Sequence, residues 1–230
     1  MEEAEKLAEL VERQTRRWAI EQRAGMPQPR GAVVSVSRLP WAGGEEVAEQ
    51  VAGWLDYGFF ELETIARIAA DPALRAGLVA ELRAGDREAI DARVHEVFGG
   101  LAAGDAMRDV ARMVSTLGQR GMAVVVGRGA SAILPAARTL RVLIVAPAAD
   151  RAARLAAARG LSAAEAEQRL AAEDAARRSF LRDRLGVEGD DPLAYDLVVN
   201  LEHLSTDSGA ALVVDALRRR FPPAGARSGR

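Results

Sequence analysis

The chain has 230 residues, with 31 Lys+Arg against 33 Asp+Glu, a net charge of -2 and 49% hydrophobic residues, which suits a globular protein with a sizeable core. There is no cysteine and only two histidines, His95 and His203, so disulfides, thiol catalysis and Cys- or His-rich metal centres are excluded. Lys6 is the only lysine, so 30 of the 31 basic residues are arginine, and a mechanism needing a central lysine must use Lys6 or do without.

Residues 2–24 predict one helix, with Leu7, Leu10, Val11, Trp18 and Ile20 at helical spacing among charges. Pro27 and Pro29 break it, so residues 1–30 form an extension before the main domain. Its apolar stripe serves either packing on the domain surface or a homodimer contact. The acidic start, MEEAEKLAEL, is no signal peptide, and no apolar run reaches the length of a membrane span. The expected location is the cytoplasm. Near-zero net charge offers no field for nucleic acid or anionic membrane.

The main domain, residues 31–220, opens with a strand at Ala32–Ser37 and a helix over Glu45–Leu55. Tyr57–Phe60 is a short strand candidate. Residues 61–119 are helical with breaks at Pro72, Gly85 and Gly99–Gly100. Strands follow at Met122–Val126 and Leu140–Ala146. Residues 150–185 are helical with a break at Gly160–Ser162, where Ser162 and Glu165 form a capping box. A strand at Tyr195–Asn200 and a helix at Asp207–Arg220 close the domain, and residues 221–230 form a disordered tail. The aromatics Trp54, Tyr57, Phe59 and Phe60 read as core. Nearly continuous apolar strands alternating with helices predict an α/β fold, with a parallel sheet covered on both faces. Ligands of such sheets bind beyond the carboxyl ends of the strands.

Three stretches there carry chemistry. Ser37–Glu46 joins a strand, a small-residue loop and a helix start, the parts of a phosphate cradle. The lysine-type motif G-x-x-x-x-G-K-[ST] is not met: Arg38 stands at its first glycine, Gly44 at its lysine and Glu45 at its hydroxyl. Gly127–Ala132 matches G-x-G-x-x-A, but Pro135 cuts short the helix that a dinucleotide site needs. Arg128, just past a strand end, can fork onto a phosphate. The third stretch holds Asp150, Arg151, Arg154, Arg159, Asp174, Arg177 and Arg178 on two helices that form either a mobile arginine lid or solvated faces with internal ion pairs.

The order Ser37-Arg38, Ala42-Gly43-Gly44-Glu45-Glu46-Val47-Ala48, VVVGRGASAIL at 124–134, LIVAPAADRAARL at 143–155, Asp174-x-x-Arg177 and Tyr195-Asp196-Leu197 resembles the cytidylate kinase-like family. That resemblance implies a three-layer P-loop kinase-like fold with a helical lid, over roughly residues 31–218. It implies ATP and Mg2+ as cofactors, with no set of protein metal ligands named, and a nucleotide and a small-molecule acceptor as partners. Carried over by position, Ser37, Arg38, Ala42, Gly43, Gly44 and Glu45 form the phosphate loop. Arg128 holds the acceptor-side phosphate. Arg151, Arg154 and Arg177 are lid arginines near donor phosphates, and Asp174 is the lid acid. Three positions depart from the pattern: Trp41 replaces a glycine, Gly129 replaces an aspartate that contacts sugar or base, and Glu45 puts a negative charge beside the phosphate position. The implied activity is phosphate transfer from ATP to a nucleoside monophosphate or similar acceptor. The alternative is a binding or interaction module that has lost catalysis.

Overall fold

The computed structural model describes residues 2–23, 31–80, 82, 84–99, 104–127 and 129–222. The five short apolar runs form strands: β1 (Val33–Arg38), β2 (Gly58–Glu61), β3 (Ala123–Val126), β4 (Thr139–Val145) and β5 (Leu197–Asn200). Every pairing is parallel, in the order β2-β3-β1-β4-β5. β1 therefore lies at the centre, and the chain switches from one of its sides to the other.

The helices are α1 (Glu2–Arg23), α2 (Gly44–Leu55), α3 (Leu62–Ala70), α4 (Pro72–Val79), α5 (Ala84–Phe98), α6 (Asp105–Arg120), α7 (Ala130–Ile133), α8 (Ala148–Arg159), α9 (Ala163–Leu185) and α10 (Thr206–Arg220). Strand alternation divides the core. Val34 and Val36 pack with Val47 and Val51 of α2 and with Val213 and Leu217 of α10. On the other face, Val33 joins a cluster with Ile65 and Ile68 of α3 and Leu117 of α6. The result is a three-layer α/β fold.

Helix α1 spends most of its stripe on its own domain, while Ile20 is 62% exposed. Val11 and Trp18 are buried, and Leu7 and Leu10 pack against the same cluster. The Trp18 indole N–H donates to the Gly121 carbonyl at 3.0 Å, and Gln14 donates to the Met122 carbonyl at 3.3 Å. Arg120 lies over the Trp18 ring, 5.1 Å from its centroid.

Two expectations need correction. Helix α5 begins at Ala84 and runs through Gly85, which sits in its first turn instead of breaking the chain. Trp54 is 52% exposed near the end of α2, so it is not core; Phe60 is fully buried. The helix after the Gly127 loop, α7, is a single turn, as Pro135 foretold. The Ser162–Glu165 capping box forms, with both side chains reaching the opposite backbone N–H. No helix among the described residues is long and apolar enough to cross a membrane. The linker at residues 24–30, with Pro27 and Pro29, and the tail at residues 223–230 lie outside the described residues.

Candidate functional site

An open cleft of about 580 Å³ lies beyond the carboxyl end of β1. Arg38, Pro40, Trp41, Ala42, Gly43, Gly44, Glu45 and Glu46 form one wall, and Arg154, Ala158, Arg159, Glu173 and Arg177 form the other. The first wall follows from backbone chemistry. Leu39 donates to the Ile144 carbonyl at 3.0 Å, which ties the loop to β4. Gly43 takes φ 85° as the N-cap of α2, and no side chain caps that end. The first-turn amides of α2 have no partner within the helix, so they are free to serve an anion in the cleft. A Cβ at Gly43 would stand 3.1 Å from Nη1 of Arg154, so that guanidinium lies directly over the turn.

Trp41 is the unusual member. It adopts φ 64°, a left-handed conformation that favours glycine. Three contacts hold it there. Its indole N–H donates to Glu173 at 2.9 Å. Arg159 stacks over its ring at 5.9 Å, and Arg154 approaches its carbonyl at 3.4 Å. Its ring also packs on the cluster of Ala152, Leu155, Ala166 and Leu170 that joins α8 to α9.

The arginines in and behind the second wall divide by partner. Arg151 is buried and forks onto Asp174, at 2.9 and 3.0 Å. It also donates to the carbonyls of Ala146 at 3.1 Å and Pro40 at 3.2 Å, so one side chain joins α9, the end of β4 and the phosphate loop. Arg177, 2% exposed, donates to Asp190 at 2.5 Å and to the Gly189 carbonyl at 2.9 Å. The Tyr195 hydroxyl donates to the same carbonyl at 2.9 Å. Arg154 and Arg159 face the cleft without a carboxylate partner among the described residues. Arg38 pairs with Glu45 across the first turn of α2.

The structure thus brings Arg38, Ala42, Gly43, Gly44, Glu45, Arg154 and Arg177 to one cleft. Ser37 is buried on β1, opposite Leu143, and does not line it. Arg151 and Asp174 lie behind the cleft as a pair. Arg128 lies outside the described residues, but its neighbours do not. Gly129 has φ 87°, and a Cβ there would stand 1.9 Å from Cδ1 of Leu185. Sequence reasoning missed Glu173 as a cleft residue, although an aromatic in a glycine loop signals that something must hold it. It also missed Arg93, whose Nε and Nη2 donate to the carbonyls of Ile133 (2.8 Å) and Ala132 (2.5 Å), binding α5 to the turn after Gly129.

A family model described as the cytidylate kinase-like family matches residues 33–203. The chain belongs to that family. The match starts at β1 and runs past β5, so the cytidylate kinase-like region includes both walls of the cleft and excludes α1. Among solved structures, an uncharacterized protein from Eubacterium ventriosum superposes with a TM-score of 0.61 at 15% identity, covering 81% of this chain and 98% of that one. TT1252 from Thermus thermophilus gives a TM-score of 0.48 at 18% identity, covering 84% and 98%. Shikimate kinase from Bacteroides thetaiotaomicron gives 0.43 at 13% identity, covering 82% and 97%. No curated protein matches the chain. At these identities the structures speak to the fold alone, and the first of them shares the three-layer α/β fold.

Proposed function

We propose that this cytidylate kinase-like chain binds a nucleotide through the cleft at Arg38–Glu46 and transfers phosphate from ATP to a nucleoside monophosphate or similar small acceptor. The observation that carries the reading is the uncapped N-terminus of α2 behind a left-handed Gly43, faced by Arg154 from α8. Oriented amides and a guanidinium on opposite sides of one turn suit a polyphosphate. Among the described residues no three acidic or histidine groups converge on a metal site. That fits Mg2+ carried mainly by phosphate oxygens and water, with Glu45 as the adjoining carboxylate. When bound, magnesium would neutralise charge on the phosphate groups.

In this reading Arg154 and Arg177 serve the donor side and Arg128 the acceptor phosphate. Arg151 and Asp174 act as positioning residues, through Pro40. Arg128→Ala is expected to abolish turnover with the fold retained; unchanged turnover in a coupled ATPase assay with nucleoside monophosphates removes that assignment.

The second reading is a nucleotide-binding or interaction module without catalysis. It is favoured by Trp41, whose side chain is latched to Glu173 beside the cradle, and by the negative charge of Glu45. A thermal-shift series with ATP, with and without Mg2+, and with NAD and NADP separates the readings. A ligand at 100 times its Kd stabilises by about 2.7 kcal/mol. A shift with ATP and turnover supports the kinase; a shift without turnover supports the binding module. No shift with any nucleotide removes the nucleotide reading.

A further inference from the structure

The missing lysine has a structural answer. Gly44 is buried at the start of α2, and a Cβ built on it would stand 2.6 Å from Cβ of Arg38, 3.1 Å from its Cδ and 3.2 Å from Cβ of Ile144. No side chain fits at residue 44 unless the Arg38 stem moves, and that stem is pinned. Arg38 is the last residue of β1, in register with Ile144 of β4, and the next amide bonds to the Ile144 carbonyl. The Arg38 head is only partly buried, at 27% exposure; it lines the cleft and pairs with Glu45. Lys6 is no substitute. It sits on α1 in an exposed pair with Glu2, and α1 packs on α4 and on β2, the far edge of the sheet.

We propose that Arg38 is the phosphate-loop cation of this chain, reaching the cradle through the volume that a side chain at residue 44 would need, with Glu45 as the counter-ion that a polyphosphate displaces. This rests on the nucleotide reading above and names which residue replaces the lysine. The chemistry is an exchange of partners. The guanidinium leaves one carboxylate and forks onto phosphate oxygens, which carry more charge and accept two parallel bonds. Glu45 orients Arg38 at rest, so the cation is placed before ligand arrives.

The test is calorimetric titration of the full chain with inorganic tripolyphosphate and with ADP, in EDTA so that metal binding at Glu45 does not enter. Arg38→Ala is expected to weaken tripolyphosphate about tenfold or more while the circular dichroism spectrum stays unchanged. Glu45→Gln is expected to tighten it several-fold, since the competing carboxylate is gone. Gly44→Lys alone is expected to lower the Tm because two stems meet. Arg38→Gly with Gly44→Lys, which removes the Cβ that stands 2.6 Å away as well as the Cδ, is expected to recover part of that Tm and bring affinity back toward that of the unmodified chain. Equal affinity in the unmodified chain and in Arg38→Ala overturns the proposal and leaves the nucleotide reading standing. So does weaker binding in Glu45→Gln. A Gly44→Lys chain as stable as the original overturns the shared volume. If the unmodified chain binds neither probe, the nucleotide reading fails first.

Discussion

Arg151 shows what a buried arginine does here. Its fork onto Asp174 and its bonds to Ala146 and Pro40 satisfy it inside the fold. Replacing it with alanine strands the Asp174 carboxylate, which retains little exposure, and cuts the loop from its anchor. Breaking a buried pair from one side costs about 3–5 kcal/mol. Urea unfolding of Arg151→Ala is expected to show that loss, and Arg151→Lys to recover only part of it, because an ammonium cannot make the two parallel bonds. A loss under about 1 kcal/mol would mean that the pair is only a surface contact. The resemblance to the family motif had placed Arg151 among the lid arginines near the loop. Its pairing was not legible, because a helix sequence shows which residues share a face but not which carboxylate comes opposite from another helix. Glu173 and Asp174 are adjacent in sequence, yet one holds Trp41 and the other Arg151.

At the scale of elements, α8 and α9 form a wall more than a free flap. The α9 start was readable from Ser162 and Glu165, since a capping box is local chemistry. Its far end was not readable. There Leu181 and Leu185 enter the core beside two glycines: a Cβ at Gly189 would stand 2.1 Å from Cδ1 of Leu181, and one at Gly129 would stand 1.9 Å from Cδ1 of Leu185. The missing aspartate at residue 129 is therefore a packing matter, because Leu185 fills the space. Gly129→Asp is expected to destabilise the chain by about 1–3 kcal/mol from overpacking alone. The left-handed φ adds to this. Adding Leu185→Ala should return part of that loss, a coupling that a double-mutant cycle reads directly. Strictly additive losses would show that residue 129 and α9 do not share that volume.

For the whole molecule, the parallel sheet was legible because each strand is a continuous apolar run; the strand order was not, since long-range pairing leaves no local trace. The far end of the sheet, away from the cleft, is locked by Asp196, which accepts from the Arg141 amide at 2.8 Å and side chain at 3.0 Å and pairs with Arg220 of α10. Burial pushes the Asp196 carboxyl up, but the bonds from Arg141 and Arg220 outweigh it and lower it from 3.8 to about 2. A carboxylate lowered on folding contributes stability that is full above about pH 4 and lost as pH falls through about 2. Asp196→Asn is expected to flatten acid unfolding across that window; an unchanged acid limb would place the transition elsewhere. The extension is the last question at this scale, because the family match begins after it. If α1 were only appended, removing Trp18 would cost almost nothing. The indole is instead 1% exposed, donates to Gly121 and lies under Arg120. Burial of that size sets the cost of Trp18→Ala at about 3–5 kcal/mol, and Trp18→Phe, which removes chiefly the N–H bond, at about 1 kcal/mol. A single urea transition with a lowered midpoint and an unchanged slope is expected, because α1 and the sheet then unfold together. Two separated transitions, with helix signal lost before the core opens, would show instead that α1 is held independently of the domain.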